Sequence, residues 1–136
     1  MKEELNNIIV KESEALQELI ALLEEQGKLV LTDKVMDLEV IVPKIEACNR
    51  RIAELEMKRR GLTNGEPMSK IINEIKDDEL ESNYNNIRML VENAIVQKDF
   101  NITQISQGLN YTNRILSILN PDRGAKVYNN NGKIKK

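Results

Sequence analysis

The sequence predicts an all-α protein: an antiparallel long-helix bundle or coiled coil, built from three long helices and one short one. Three observations carry that reading. Apolar residues recur three and four positions apart over long stretches, a spacing that only a helix gathers onto one face. Six glycines and three prolines in 136 residues are too little punctuation for an all-β fold. Aromatic residues make up 3% and Trp is absent, so aliphatic side chains do the packing, which suits thin helical layers. The length predicts one helical domain over residues 1–120, followed by a basic tail over 121–136.

The first stripe runs Leu5, Ile8, Ile9, Ala15, Leu16, Leu19, Leu22, Leu23, Leu29, Val30 and predicts a helix from about Lys2 or Glu3 to Val30. Gly27 sits near its end, at a cost of about 1 kcal/mol if it is interior. Leu31-Thr32-Asp33 makes a short break, with Thr32 or Asp33 as the natural cap of the second helix. That helix carries Leu38, Ile41, Ile45, Cys48, Ile52 and Leu55 to about Arg60. Gly61 is expected to end it in the left-handed conformation, and Lys58, Arg59 and Arg60 suit the negative end of its dipole. Pro43 lies inside it, and because the stripe stays in phase on both sides, the expectation is one kinked helix.

Residues 62–67 (Leu-Thr-Asn-Gly-Glu-Pro) form the clearest loop. Met68, Ile71, Ile72 and Ile75 then suggest a short helix. The acids Asp77, Asp78, Glu79 and Glu81 favour the start of the last long helix, which Pro121 stops at about Asn120. At 1.5 Å per residue that helix spans roughly 60 Å. Its stripe weakens around Gln97, Lys98, Asp99 and Asn101, read as a local drift of the seam, and Gly108 is also interior. The tail holds five bases against Asp122, with Val127, Tyr128 and Ile134 as its hydrophobic anchors, and its composition predicts mobility.

Charge and chemistry narrow the function classes. A net charge of −2 argues against a general nucleic-acid binder, whose phosphate contacts demand a basic excess. Charge is uneven, however: residues 1–26 hold seven acids against Lys2 and Lys11, while residues 44–60 hold six bases against three acids. Two neighbouring helices of opposite sign gain a modest orientation preference. Arg50-Arg51 and Lys58-Arg59-Arg60 read as a solvated face with helix-end complementarity ahead of an RNA patch.

Histidine is absent, which removes the usual general base, nucleophile activator and metal ligand. There is no glycine-rich phosphate loop, and the acidic clusters fall on solvent faces or helix starts. Glu12 lies on the apolar side of the first helix and is expected to be a partly exposed seam position rather than a partner contact. Cys48, the single cysteine, reads as a small core hydrophobe. The amino terminus lacks a signal peptide's basic start and apolar run, and no apolar stretch approaches the roughly 18 residues a membrane span needs. These features suit a cytosolic binding protein without a cofactor, not an enzyme.

Ile102, Ile105, Leu109, Ile115, Leu116 and Leu119 supply apolar surface in nearly every turn of the last helix, together with Tyr111 and Ile118. Leu109, Tyr111, Ile115, Leu116, Ile118 and Leu119 cannot all face one narrow seam. Two readings stay open for this segment: an uncovered docking groove for another amphipathic helix, or packing against the other helices or a second copy of the chain.

The ordered features resemble the FlgN family of flagellar type III export chaperones over nearly the whole length. They are the leucine-glutamate helix 12–25 (Glu-Ser-Glu-Ala-Leu-Gln-Glu-Leu … Leu-Leu-Glu-Glu) and the break and second helix opening at Asp33-Lys34-Val35-Met36-Asp37-Leu38. After them come the run from Ile52 to Arg59, the asparagine-containing helix from Asn83 to Asn120, and the Tyr128-x-x-x-Gly132 element. Pro43 departs from the family's pattern.

The resemblance implies a cytosolic chaperone for hook-filament junction proteins (FlgK-like and FlgL-like subunits). It would hold their amphipathic carboxy-terminal helices unassembled before secretion. Client binding would map to the last helix and tail, and Tyr128 would be the residue that docks on the flagellar export gate. Two rivals remain from other classes: a structural coiled-coil homodimer, and a small nucleic-acid binder using the face from Arg50 to Arg60 and the basic tail.

Overall fold

The computed structural model describes the backbone of residues 1–119 and of the pairs 127–128 and 134–135, with side chains through residue 108. It is all-α, as the periodicity predicts. Helix α1 spans Lys2–Leu31, α2 Val35–Leu62, α3 Met68–Ile75 and α4 Asp78–Leu119. Strands β1 (Val127–Tyr128) and β2 (Ile134–Lys135) pair antiparallel, with Val127 opposite Lys135 and Tyr128 opposite Ile134. The rest of the expected tail lies outside the described residues.

Side-chain pairs set the helix directions. Between α1 and α2, Glu12 meets Arg59 and Glu18 meets Arg51, so the two run antiparallel. Between α1 and α4, Asn6 meets Asn83 and Leu23 meets Asn101, so α4 runs alongside α1 in the same direction. The reversals at the α1–α2 turn and at α3 produce this up-down-up order.

The buried rows have a seven-residue period. In α2 the row is Ile41, Cys48, Leu55; in α4 it is Leu80, Ile87, Ala94, Asn101. Helix α1 buries two such rows, Leu5, Glu12, Leu19 and Ile9, Leu16, Leu23, because it faces two neighbours at once. At one end α3 plugs the bundle, its Met68 and Ile71 packing with Leu5, Ile9, Leu80 and Ile87. Further along, Leu19, Leu23, Cys48 and Ala94 form a second, thinner cluster. Cys48 is the core hydrophobe its position predicts; burial pushes its thiol up, and its Sγ donates to the Ala15 carbonyl at 3.2 Å.

Two helix ends differ from expectation. Helix α2 continues through Gly61 to Leu62, and left-handed backbone falls instead at Asn64 (φ 53°) and Gly65 (φ 77°). The Gly65 N–H reaches back to the Arg60 carbonyl at 3.0 Å, so the Asn-Gly turn satisfies the last carbonyls that Gly61 was expected to serve. Nor does Thr32 or Asp33 cap α2. The Thr32 hydroxyl donates backwards to the Lys28 carbonyl at 2.9 Å, closing α1, and Lys34 stands at the α2 N-cap without a side-chain bond.

Pro43 lies within a continuous α2 on its exposed side. Glu39, whose carbonyl loses its partner there, is also exposed and open to water. At the start of α4, Asp77 Oδ2 accepts from the Leu80 N–H at 3.0 Å, a capping bond that holds this carboxyl below the usual range. Asn6 Nδ2 and Lys2 Nζ reach the same carboxylate, at 3.5 and 3.4 Å.

Two buried polar positions overturn expectations. Glu12 is 3% exposed, not a partly exposed seam residue, and its Oε1 accepts from Arg59 Nε at 2.9 Å. Arg59 is thereby drawn off the solvated face. Burial nevertheless raises the Glu12 carboxyl above its usual range, outweighing the attraction of Arg59. The stretch around Asn101 is likewise not a drifting seam. Asn101 is 1% exposed, and its Nδ2 donates to the Leu23 carbonyl at 2.8 Å and to Gln26 Oε1 at 2.9 Å. Its Oδ1 accepts from Gln97 Nε2 at 3.0 Å. Opposite it, a Cβ on Gly27 would stand 2.7 Å from Asn101 Oδ1 and 3.0 Å from Gln97 Nε2, so any side chain there displaces the amides that join α4 to α1.

Substituting Arg59→Met leaves Glu12 buried and unpaired, with an expected loss of about 3 kcal/mol at neutral pH by denaturant titration. Because the folded carboxyl already sits above its unfolded value, ionisation of Glu12 opposes folding, and its contribution declines as pH rises through the folded value. The Arg59→Met loss is therefore expected to be smaller near about pH 5 than near about pH 7. Gly27→Ala is expected to destabilise by about 1 kcal/mol in spite of alanine's better helix propensity. In an Asn101→Ala background the same change is expected to stabilise, a sign reversal that a double-mutant cycle measures.

Candidate functional site

Helices α2 and α4 each pack closely along α1, while their backbones stand apart from one another. Since α3 fills the space between them only at the end near Leu5 and Leu80, an open groove of about 460 Å³ remains over the middle of α1. That volume lies within the range of ligand pockets, about 300–1,000 Å³. Leu16, Leu19 and Leu23 form its floor. Val42, Ile45 and Ile52 build the α2 wall, and Val91, Ala94, Ile95, Ile102 and Ile105 the α4 wall.

The walls are aliphatic and wet. Ile102 is 53% exposed, Ile95 48%, Val42 41% and Ile105 40%. Covering one half-exposed aliphatic side chain of this kind contributes roughly 1 kcal/mol, so a shape that covers several binds by burial alone. Polar groups stand at the margins: Gln26 and Asn49, Glu46 on the α2 rim and Lys98 on the α4 rim.

Of the residues the sequence singles out for binding, Ile102 and Ile105 lie together in the α4 wall. Leu109, Ile115, Leu116 and Leu119 belong to the helical backbone of α4, with side chains outside the described residues. Tyr128 stands in β1 opposite Ile134, and its side chain is likewise outside the described residues. The α1–α4 register places the end of α1 level with Gly108, and α4 continues beyond that level to Leu119.

Sequence reasoning missed the part played by α1 and α2, and by Val91 and Ile95 of α4. A signal existed: the row Leu80, Ile87, Ala94, Asn101 already supplies a seam, so the adjoining row Val91, Ile95, Ile102, Ile105 is surplus to it. The basic face between Arg50 and Arg60 is largely committed. Arg51 pairs with Glu18 at 3.3 Å, Arg59 with Glu12 at 2.9 Å and Arg60 with Glu56 at 2.8 Å. Among the described residues, no helix is long and apolar enough to cross a membrane.

A three-helix frame with an aliphatic groove suits the handling of another helix, and comparison with known proteins points the same way. The family model described as FlgN protein matches residues 1–136, the entire chain. No curated protein and no solved structure gave a match. The chain belongs to the FlgN family, and its general role is that of a flagellar export chaperone.

Proposed function

We propose that this chain, acting in the cytoplasm and without enzymatic activity, binds the amphipathic carboxy-terminal helices of hook-filament junction proteins, the FlgK-like and FlgL-like subunits. It keeps them unassembled until secretion. The observation that carries the reading is the groove between α2 and α4, whose floor is buried leucine and whose walls are half-exposed aliphatic residues. A helix that polymerises through its apolar face needs that face covered, and the groove offers a substitute surface with no metal or nucleotide. A client helix laid there becomes the fourth member of the bundle, with Ile102 and Ile105 against it and Leu109, Ile115, Leu116 and Leu119 extending the contact along α4.

Release before assembly is compatible with this geometry. Coverage by aliphatic burial is non-directional and tolerates more than one client sequence. Tyr128, in the segment after α4, is proposed to contact the export gate, keeping delivery apart from client retention.

Titrating the carboxy-terminal peptide of a junction subunit is expected to move amide signals of the groove residues on α1, α2 and α4. The double change Ile102→Asp and Ile105→Asp is expected to weaken that binding about tenfold or more, with the thermal transition retained because both side chains are half exposed. An unchanged affinity would remove these residues from the site, and no binding at all would remove the client reading. Tyr128→Ala is expected to weaken export-gate binding about tenfold while leaving peptide binding intact. Undiminished gate binding would end its assigned role. A closed homodimer that peptide fails to open would favour a structural coiled-coil protein instead.

A further inference from the structure

The rims of the groove carry opposite charges. Glu46 stands exposed on the α2 rim and Lys98 exposed on the α4 rim, and both line the cavity. On the two registers, antiparallel for α2 and parallel for α4, both fall level with the Leu19–Leu23 stretch of the α1 floor. Neither has an ion-pair partner among the described residues, whereas Glu18 with Arg51 and Glu12 with Arg59 are paired across the α1–α2 seam. An unpaired carboxylate and an unpaired ammonium therefore flank a mostly aliphatic trough, whose other polar lining, Gln26, Asn49 and Asn101, is uncharged.

We infer that Glu46 and Lys98 fix the direction in which a client helix lies in the groove, selecting helices with a basic flank beside Glu46 and an acidic flank beside Lys98. This rests on the reading of the groove as the client site. Apolar burial cannot choose a direction: a helix seated with its apolar face on Leu16, Leu19 and Leu23 can be turned end for end and still cover them. The turn exchanges its two flanks, however. A helix with lysines on one flank and glutamates on the other meets both rims favourably in one direction and with like charges in the reverse. Each exposed pair is weak, but two attractions gained and two repulsions avoided sum to a bias of about tenfold. The occupant is thus an amphipathic helix with one basic and one acidic flank, and its polarity is read by charge across the rims.

The test uses the full chain and two synthetic amphipathic peptides of about 18 residues, roughly 27 Å when helical. They share an apolar face and composition, with lysine and glutamate flanks interchanged between them. Each carries a nitroxide at its amino terminus, and relaxation of the protein's amides reports which end of the groove the label occupies. One end is marked by Leu16, Ile52 and Val91, the other by Gln26, Val42 and Ile105. The expected result is that the two peptides place their labels at opposite ends, with a preference of about tenfold at low salt that shrinks as salt rises. In the protein carrying Glu46→Lys and Lys98→Glu together, the two placements are expected to interchange.

Binding with the same end preferred by both peptides, or placements unmoved by the double charge reversal, overturns the inference and leaves the groove reading standing. Failure of either peptide to bind overturns both. A mass showing a second copy seated in the groove that peptide does not displace does the same.

Discussion

Helix α1 is shared. It buries two rows of side chains, Leu5, Glu12, Leu19 and Ile9, Leu16, Leu23, whereas α2 and α4 bury one row each. A helix with a single seam can satisfy one neighbour, so α2 and α4 both lie along α1, and their backbones stand apart from one another. The groove follows from that division, because two cylinders resting on a third meet it on its flanks and diverge above it. Where α3 supplies Met68 and Ile71, the gap is closed and the core is deepest; where nothing supplies them, aliphatic walls stay wet. The open face is a consequence of how many seams each helix owns.

Aliphatic seams alone specify register poorly, since leucine rows slide past one another at little cost. Two buried polar sites supply what they lack. Glu12 and Arg59 hold α1 against α2, and Asn101 seats α4 against α1 through the Leu23 carbonyl and Gln26. Shifting either helix by one position would strand a charge or an amide in the interior, a penalty well above that of a misplaced methyl group. Gly27 lets the α1 backbone come close enough for the Asn101 contacts to form. These groups position the groove walls, for Asn101 sits one turn from Ile105 and beside Ile102.

For a chaperone of exported helices, a site built on burial has a physical logic. Covered apolar area sets the strength of retention, while shape demands stay loose, so related clients can share one groove. Charge at the rims, as proposed, would add discrimination without adding much affinity, because exposed pairs are individually weak and screened. On the proposed reading, retention and orientation fall to different atoms of the same trough.

The apolar spacing determined the four helices, their order and their approximate ends, and the absence of histidine and of phosphate loops pointed away from catalysis, because helical period and side-chain chemistry are local properties written residue by residue. Ile102 and Ile105 were legible as apolar surface in α4, and the structure places both, half exposed, in the groove wall. Glu12 and Asn101 were not, since a polar residue on an apolar stripe looks the same whether it meets water or a partner some 47 or 78 positions away. The Gly61 and Thr32 expectations failed for a related reason: the Asn64–Gly65 turn and the backward bond of Thr32 depend on which carbonyls the folded ends leave open. Only the tertiary structure decided that α2 and α4 both lie along α1 with their backbones apart, and so that a groove exists. Which of two apolar rows is covered depends on what stands opposite, and that is a property of the assembled helices alone.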